Sequence, residues 1–353
     1  MTAPLDEILD LLGPLIEADT QNPPRQVTAD GPLVAAVRAA LPGFSVDVTD
    51  LGDGCLVIDC RRGQTDLLFN VHLDTVPAAK GWTHPPLTMT RLDDRAVGLG
   101  TCDTKGAAAV LFALARNTDA RMHLVLTTDE EAGKSRCIRS FLETDPDARL
   151  AIVAEPTEAR ARLAHRGLCS VHARFAGESA HASQVDRPSA VHRAAAFITG
   201  ALALPAARET RLKFGRIAGG VEANMVAAHT DLLFGFRAAP GVAHETVIDA
   251  LHALDPDTEM SVRFVGPALP ADSDGPAARA AASARAAADE LELPIGPPVD
   301  FWTEASLFAA AGIPSLVLGA GSIAQAHNAD EFVTYDQLTK VYGLYDRAVR
   351  LYG

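Results

Sequence analysis

Two textures in the sequence predict an α/β protein with a mostly parallel sheet and a smaller α+β domain inserted into it. In the first half, apolar runs of strand length at 56–58, 67–71, 123–126 and 150–154 surround an alanine-rich helical stretch at 105–116. Strand–helix–strand repetition of this kind marks a parallel sheet. From about residue 165 the runs alternate polar and apolar residues, as in CSVHARFAG (169–177), which reads as half-exposed antiparallel strands. The first texture returns after the turn-rich PALPADSDGP (267–276). The 353 residues therefore divide into a discontinuous α/β domain, 1–164 and 269–353, and an inserted domain, 165–268, in line with a length that favours about two domains.

Taken in order, Leu5, Ile8, Leu9, Leu12, Leu15 and Ile16 mark one face of an N-terminal helix that stops before Asn22-Pro23-Pro24. Strands follow in LVI (56–58) and LLFNV (67–71), then the helix KGAAAVLFALAR (105–116), then strands in HLVL (123–126) and LAIVA (150–154). The insert carries strands at 169–177, 230–237 and 260–266, with helical stretches at 188–203 and 244–254 between them. The tract at 278–290 is an alanine-rich helix, FWTEASLFAAAGIP (301–314) holds another, and SLVLGAG (315–321) is the closing strand.

Composition narrows the function. Lys and Arg number 31 and Asp and Glu 45, a net charge of −14, which argues against nucleic acid or an anionic membrane as partner, since both reward cationic surfaces. No apolar run approaches the roughly 20 residues that span a bilayer, and the acidic, amphipathic N-terminus lacks the basic-then-apolar order of a signal peptide. Five cysteines without a CxxC pair point to a reducing cytoplasm rather than a disulfide framework.

The polar clusters of the first domain each fall just past a strand: His72-Leu73-Asp74 after 67–71, TTDEEAG (127–133) after 123–126, Glu155 after 150–154, and His327 beyond 315–318. Ligands of open α/β sheets gather at those strand ends. In an extended segment residues two apart point the same way, so Asp74 can sit behind His72 and hold its imidazole tautomer. Glu130 and Glu131 are adjacent and project differently, so one can bind a cation while the other faces a bound water. Two histidines with several carboxylates suit zinc, cobalt or manganese. Singly, DEE reads as a solvated turn and HLD as a polar loop; their joint occurrence at successive strand ends carries the metal-site expectation.

In order along the chain, NVHLDTVP (70–77), GLGTCDTKGAAA (98–109), TTDEEAG (127–133), AEPT (154–157), SAHAS (179–183), TEA (303–305) and AQAHNADEFV (324–333) resemble the dinuclear metallo-aminoacylases and exopeptidases of the M20 type. LAHRG (163–167) and FWTEASLF (301–308) look most like the acetylornithine deacetylase branch and its short variant acting on N-acetyl-L-citrulline. The resemblance implies a zinc-exopeptidase-like catalytic domain, an inserted dimerisation or lid domain, two divalent metal ions (zinc or cobalt) and a homodimer. It implies that His72, Asp103, Glu131, Glu155 and His327 bind the metals. Asp103 would bridge, with His72 and Glu155 on one ion and Glu131 and His327 on the other. Asp74 would be the acid behind His72, Glu130 the general base, and His181 an oxyanion donor reaching a neighbouring subunit's site. Substrate contacts would come from Glu304, Asn224, Arg237 and Arg166, although Arg166 reads equally as a hinge or packing residue and Arg237 as a strand arginine paired with a neighbour. The activity implied is a metal-dependent amidohydrolase that removes the acetyl group from N-acetyl-L-citrulline or N-acetyl-L-ornithine in arginine biosynthesis.

Succinyl-diaminopimelate desuccinylases belong to the same type, but carry a glycine- and arginine-containing TSDGRF-like segment where this chain has TEASLF. Dipeptidase and carboxypeptidase activities share the chemistry. A catalytically inactive binding relative is disfavoured by the complete ligand set. Asp129 reads as part of a solvated turn, and Cys102 as packing.

Overall fold

The apolar face expected at the N-terminus forms α1 (Leu5–Glu17), which buries Ile8, Leu9, Leu12, Leu15 and Ile16. The computed structural model describes residues 4–132, 134–184 and 186–353. After α1 come α2 (Pro32–Ala40), β1 (Ser45–Asp50), β2 (Leu56–Arg62), β3 (Leu67–His72), β4 (Thr90–Arg91), β5 (Arg95–Val97), α3 (Lys105–Arg116), β6 (Met122–Thr127), α4 (Arg136–Leu142) and β7 (Leu150–Val153). The next block is β8 (Leu168–Ala176), β9 (Ala180–His181), α5 (Ala190–Ala203), α6 (Pro205–Glu209), β10 (Lys213–Gly219), β11 (Met225–Val226), β12 (His229–Phe236), α7 (His244–His252) and β13 (Glu259–Gly266). The chain closes with α8 (Pro276–Glu290), α9 (Ala305–Ala310), β14 (Ser315–Val317), β15 (Phe332–Thr334) and α10 (Tyr335–Tyr352). Among the described residues no helix is long and apolar enough to cross a membrane.

Contacts group these elements into two units, one of residues 1–164, 274–298 and 303–353, the other of 165–273 and 299–302. The second unit thus runs on to Ser273 and takes in Val299–Trp302, where the Trp302 indole donates to the Pro267 carbonyl at 3.0 Å and packs edge-on to Phe264. The helix expected across 301–314 is shorter, α9, and begins after this segment.

The first unit is built on a six-stranded sheet in the order β1-β2-β6-β3-β7-β14. Strands β6, β3, β7 and β14 run parallel, whereas β2 is antiparallel to β6 and β1 to β2. The link from β2 to β3, residues 63–66, is too short for the crossover that parallel strands need, and β2 and β3 flank β6 in opposite directions, so the sheet is mixed at that edge. Its strands β6, β3, β7 and β14 are buried at every position, as expected of a sheet covered on both faces. Helix α3 is buried from Lys105 to Ala115; its alanines leave little side chain to separate it from its neighbours. Phe69 and Tyr345 meet edge-on at 5.0 Å in the same core.

The second unit has a four-stranded antiparallel sheet, β10-β12-β8-β13, with buried and half-buried residues alternating along β8 and β12. Phe175, Phe197 and Phe234 cluster with Val171, Val247 and Leu251 in its core. A two-stranded ribbon pairs β9 with β11.

Candidate metal centre

Three of the expected ligands, His72, Glu131 and Glu155, sit where strands of the first unit end or just beyond. His72 is the last residue of β3, and its Nε2 lies 3.1 Å from Asp103 Oδ1 and 3.9 Å from Glu155 Oε1. His327 Nε2 lies 3.0 Å from Glu131 Oε2 and 3.4 Å from Asp103 Oδ2. Asp103 therefore offers one carboxylate oxygen to each imidazole. Donor atoms of His72, Asp103 and Glu131 all fall within 4.8 Å of one another. The His72 side chain is only 2% exposed and that of His327 50%, so the cluster is open on one side.

Asp74 stands behind His72, but its carboxylate does something else as well. The His72 Nδ1 faces the Asp74 backbone carbonyl at 3.0 Å, and the carboxylate lies farther off at 3.6 Å. A carbonyl only accepts, so in the neutral ring Nδ1 carries the proton and Nε2 is left bare toward the acids. The carboxylate accepts from Asn22 Nδ2 at 2.8 Å and from the backbone N–H groups of Glu130 and Glu131 at 3.3 and 3.1 Å. It fixes the turn from which those two glutamates project.

Asp129 is not part of a solvated turn. It is fully buried and accepts the backbone N–H of Arg136 at 2.6 Å and of Cys137 at 3.3 Å, two of the donors that the start of α4 leaves without helical partners. Three further residues lie in this unit. Glu304 is buried and receives Thr127 Oγ1 at 3.5 Å. Glu331 and Lys105, assigned no role from sequence, are both buried: Glu331 binds the loop carrying Asp103, and Lys105 donates from Nζ to the Ala18 carbonyl at 3.2 Å.

The charges are strongly coupled to burial. Burial pushes Glu130, Glu131 and Glu155 up, and the acids around each push further in the same direction. Burial also raises Glu304 to about 8 and Glu331 to about 7. In Asp103 burial is outweighed by the His327 and His72 hydrogen bonds, which hold its carboxyl below the usual range. Hydrogen bonds to Asp103 and Glu131 raise His327 to about 10. Several acids and two imidazoles thus share a space in which the acids resist ionising together. The donors are nitrogen and oxygen, with no thiolate, which fits a divalent cation of the borderline-hard class. A cation there compensates the acids.

The sequence profile of peptidase family M20/M25/M40 matches residues 68–351. The chain belongs to this family. It is 45% identical over 353 residues to the N-acetyl-L-citrulline deacetylase of Xanthomonas campestris pv. campestris, covering 96% of each chain. It is 31% identical to the acetylornithine deacetylase of Photorhabdus laumondii subsp. laumondii over 82% of each. An M20 family metallo-carboxypeptidase from Sulfolobus solfataricus superposes with a TM-score of 0.76 at 14% identity, covering 98% of this chain and 99% of that one. The fold is therefore the M20 zinc-exopeptidase-like α/β fold, and the family implies use of a divalent metal.

The remaining expected residues of this M20 chain lie in its second unit. His181 is exposed at the end of β9, opposite Met225 of β11, and the Asn224 carbonyl accepts from Ala182 N at 2.9 Å, so one ribbon holds both His181 and Asn224. The Ser183 backbone N–H donates to His181 Nδ1 at 3.3 Å; in the neutral ring, Nε2 then carries the proton. Arg166 is committed within its own unit, through Nε to Asp300 at 3.0 Å and through Nη1 to the carbonyls of Glu209 and Arg237 at 2.8 and 3.2 Å. Those contacts favour the packing role. Arg237 is half-buried just past β12. Burial raises the Cys102 thiol, and its Sγ contacts the Ser322 carbonyl at 3.3 Å.

Proposed function

We propose that this chain is a metal-dependent deacetylase of N-acetyl amino acids, with N-acetyl-L-citrulline as its substrate and N-acetyl-L-ornithine as the competing choice. The observation that carries the metal reading is the position of Asp103, with one carboxylate oxygen toward each of two histidines that also face separate glutamates. His72 and Glu155 would hold one ion, Glu131 and His327 a second, with Asp103 between them. The 45% identity to an N-acetyl-L-citrulline deacetylase supports the substrate. Zinc and cobalt both suit the ligands.

Bound divalent cations supply Lewis acidity and bring a water's proton loss to near neutral pH. Glu130, held by Asp74 through its backbone N–H, takes the proton of the attacking water. As the water oxygen bonds to the acetyl carbonyl carbon and the carbon–nitrogen bond breaks, Glu130 returns a proton to the leaving amine. Acetate and the free amino acid result. His181 of the partner subunit in a homodimer would donate from Nε2 to the carbonyl oxygen as it gains charge. The inserted domain would form the dimer, and Glu304, Asn224 and Arg237 would contact the substrate.

Metal analysis of the purified protein, with parallel kinetics on N-acetyl-L-citrulline, N-acetyl-L-ornithine and N-acetyl-L-methionine, tests the proposal. Two divalent ions per chain and the highest kcat/KM on acetylcitrulline are expected. Faster turnover of acetylornithine overturns the substrate choice, and a metal-replete protein inert on all three overturns the activity.

A further inference from the structure

We propose that Glu331 is a positioning residue for the metal centre: it fixes the loop carrying Asp103 so that the Asp103 carboxylate stands between His72 and His327 before a cation arrives. The inference rests on Asp103 being a metal ligand.

Glu331 is four residues past His327 and 2% exposed. Its Oε2 accepts from Gly100 N at 2.9 Å, and its Oε1 accepts from Cys102 N at 2.8 Å and Asp103 N at 3.0 Å. The Glu331 backbone carbonyl accepts from Gly98 N at 3.0 Å and Thr101 Oγ1 at 3.2 Å. One residue therefore gathers four of the six backbone N–H groups of the segment 98–103, including the amide of the bridging aspartate itself. Charge-assisted bonds to backbone N–H groups are stronger than neutral ones, and successive N–H groups turned inward form a concavity suited to an anion.

The loop has little room to settle elsewhere. Gly100 has φ +83°, and a Cβ there would lie 2.8 Å from Thr75 Cγ2; a Cβ at Gly106 would lie 2.3 Å from the Thr101 carbonyl. An amide cannot replace the carboxylate. Glutamine has one accepting oxygen, so its NH2 would point at either the Gly100 N–H or the paired N–H groups of Cys102 and Asp103.

The test is calorimetric titration of metal-free protein with Zn²⁺ for the unmodified chain, Glu331→Gln and Glu331→Asp, together with amide hydrogen exchange at Gly100, Cys102 and Asp103. Glu331→Gln should bind metal about 10–100-fold more weakly, as when other partners that orient ligands are lost, with KM unchanged at saturating metal. Glu331→Asp should recover part of the affinity. In the metal-free unmodified protein the three amides should exchange slowly. Unchanged affinity in Glu331→Gln overturns the inference. Amides that exchange freely until metal is added also overturn it, and that measurement needs no variant to fold. If the unmodified protein binds no divalent metal, the assignment of Asp103 falls and the inference with it. Tight binding by both unmodified protein and Glu331→Gln sinks the role of Glu331 alone.

Discussion

In the α/β unit, β3, β6 and β7 are buried at every residue and stop at polar clusters. In the α+β unit, β8 and β12 alternate buried and half-buried residues. Their open face carries charge along its length: His172 and Arg174 both pair with Asp231, at 2.8 and 3.2 Å. A strand covered on both faces has only its end free for polar side chains, so chemistry is concentrated there. A sheet with one free face spreads its polar groups, and its candidate residues come instead from a short ribbon and from the residue just past a strand. The proposed division of labour, metal and base on the first unit and oxyanion donor on the second, follows that difference.

The change expected to break the comparison most severely is Glu130→Gln. Loss of a positioned base costs about 10²–10⁴-fold in turnover, while the ligands, none of them Glu130, should retain both metals. Near-normal turnover with metal content confirmed would falsify the base assignment.

His181→Ala removes a donor from the other unit and should lower kcat by about 10²–10³-fold, as for other oxyanion donors. Metal content should not change. If His181 acts across subunits, mixing His181→Ala with Glu130→Gln protein should restore one working site per mixed dimer. Absence of recovery after verified subunit exchange counts against the cross-subunit arrangement.

Chelation separates the units by stability rather than rate. A ligand present at about 100 times its Kd stabilises the folded state by about 2.7 kcal/mol. Removing the metal should withdraw that amount from the α/β unit and leave the α+β unit, with its own Phe175–Phe197–Phe234 core, as stable as before. Calorimetry on metal-loaded and metal-free protein checks this. An equal shift of both transitions would show that the units do not unfold separately.

The same contrast explains what the sequence disclosed. His72, Glu131 and Glu155 were legible because each follows an uninterrupted apolar run, a pattern that locates both strand and site. His181 is singled out only by resemblance to M20 enzymes, since a histidine at the end of a two-residue strand has no periodic neighbours. Glu331 and Asp129 escaped for a different reason. Their partners are backbone N–H groups of segments 228 and seven residues away, and backbone donors leave no mark in side-chain spacing. The position of Asp74 behind His72 follows from the two-residue period, but its hold on the Glu130–Glu131 turn depends on register between strands. The missed strand β10 has Gly215 and exposed Arg216 and Ile217 where alternation would be sought.

The smallest predicted effect isolates one of these backbone-directed acids. Asp129→Ala leaves the N–H groups of Arg136 and Cys137 without their acceptor, and losing such a cap costs about 1 kcal/mol, within a range of about 0.5–2. Asp129→Asn keeps one accepting oxygen. Because Arg136 N and Cys137 N both reach Oδ2, at 2.6 and 3.4 Å, that single oxygen can serve both. Denaturant unfolding should therefore place Asp129→Asn close to the unmodified protein and Asp129→Ala below it, with metal content the same in all three. If Asp129→Asn instead lost metal or turnover while remaining as stable, the negative charge of Asp129 would be acting on the neighbouring Glu130 and Glu131, and its role would be electrostatic rather than a cap on α4.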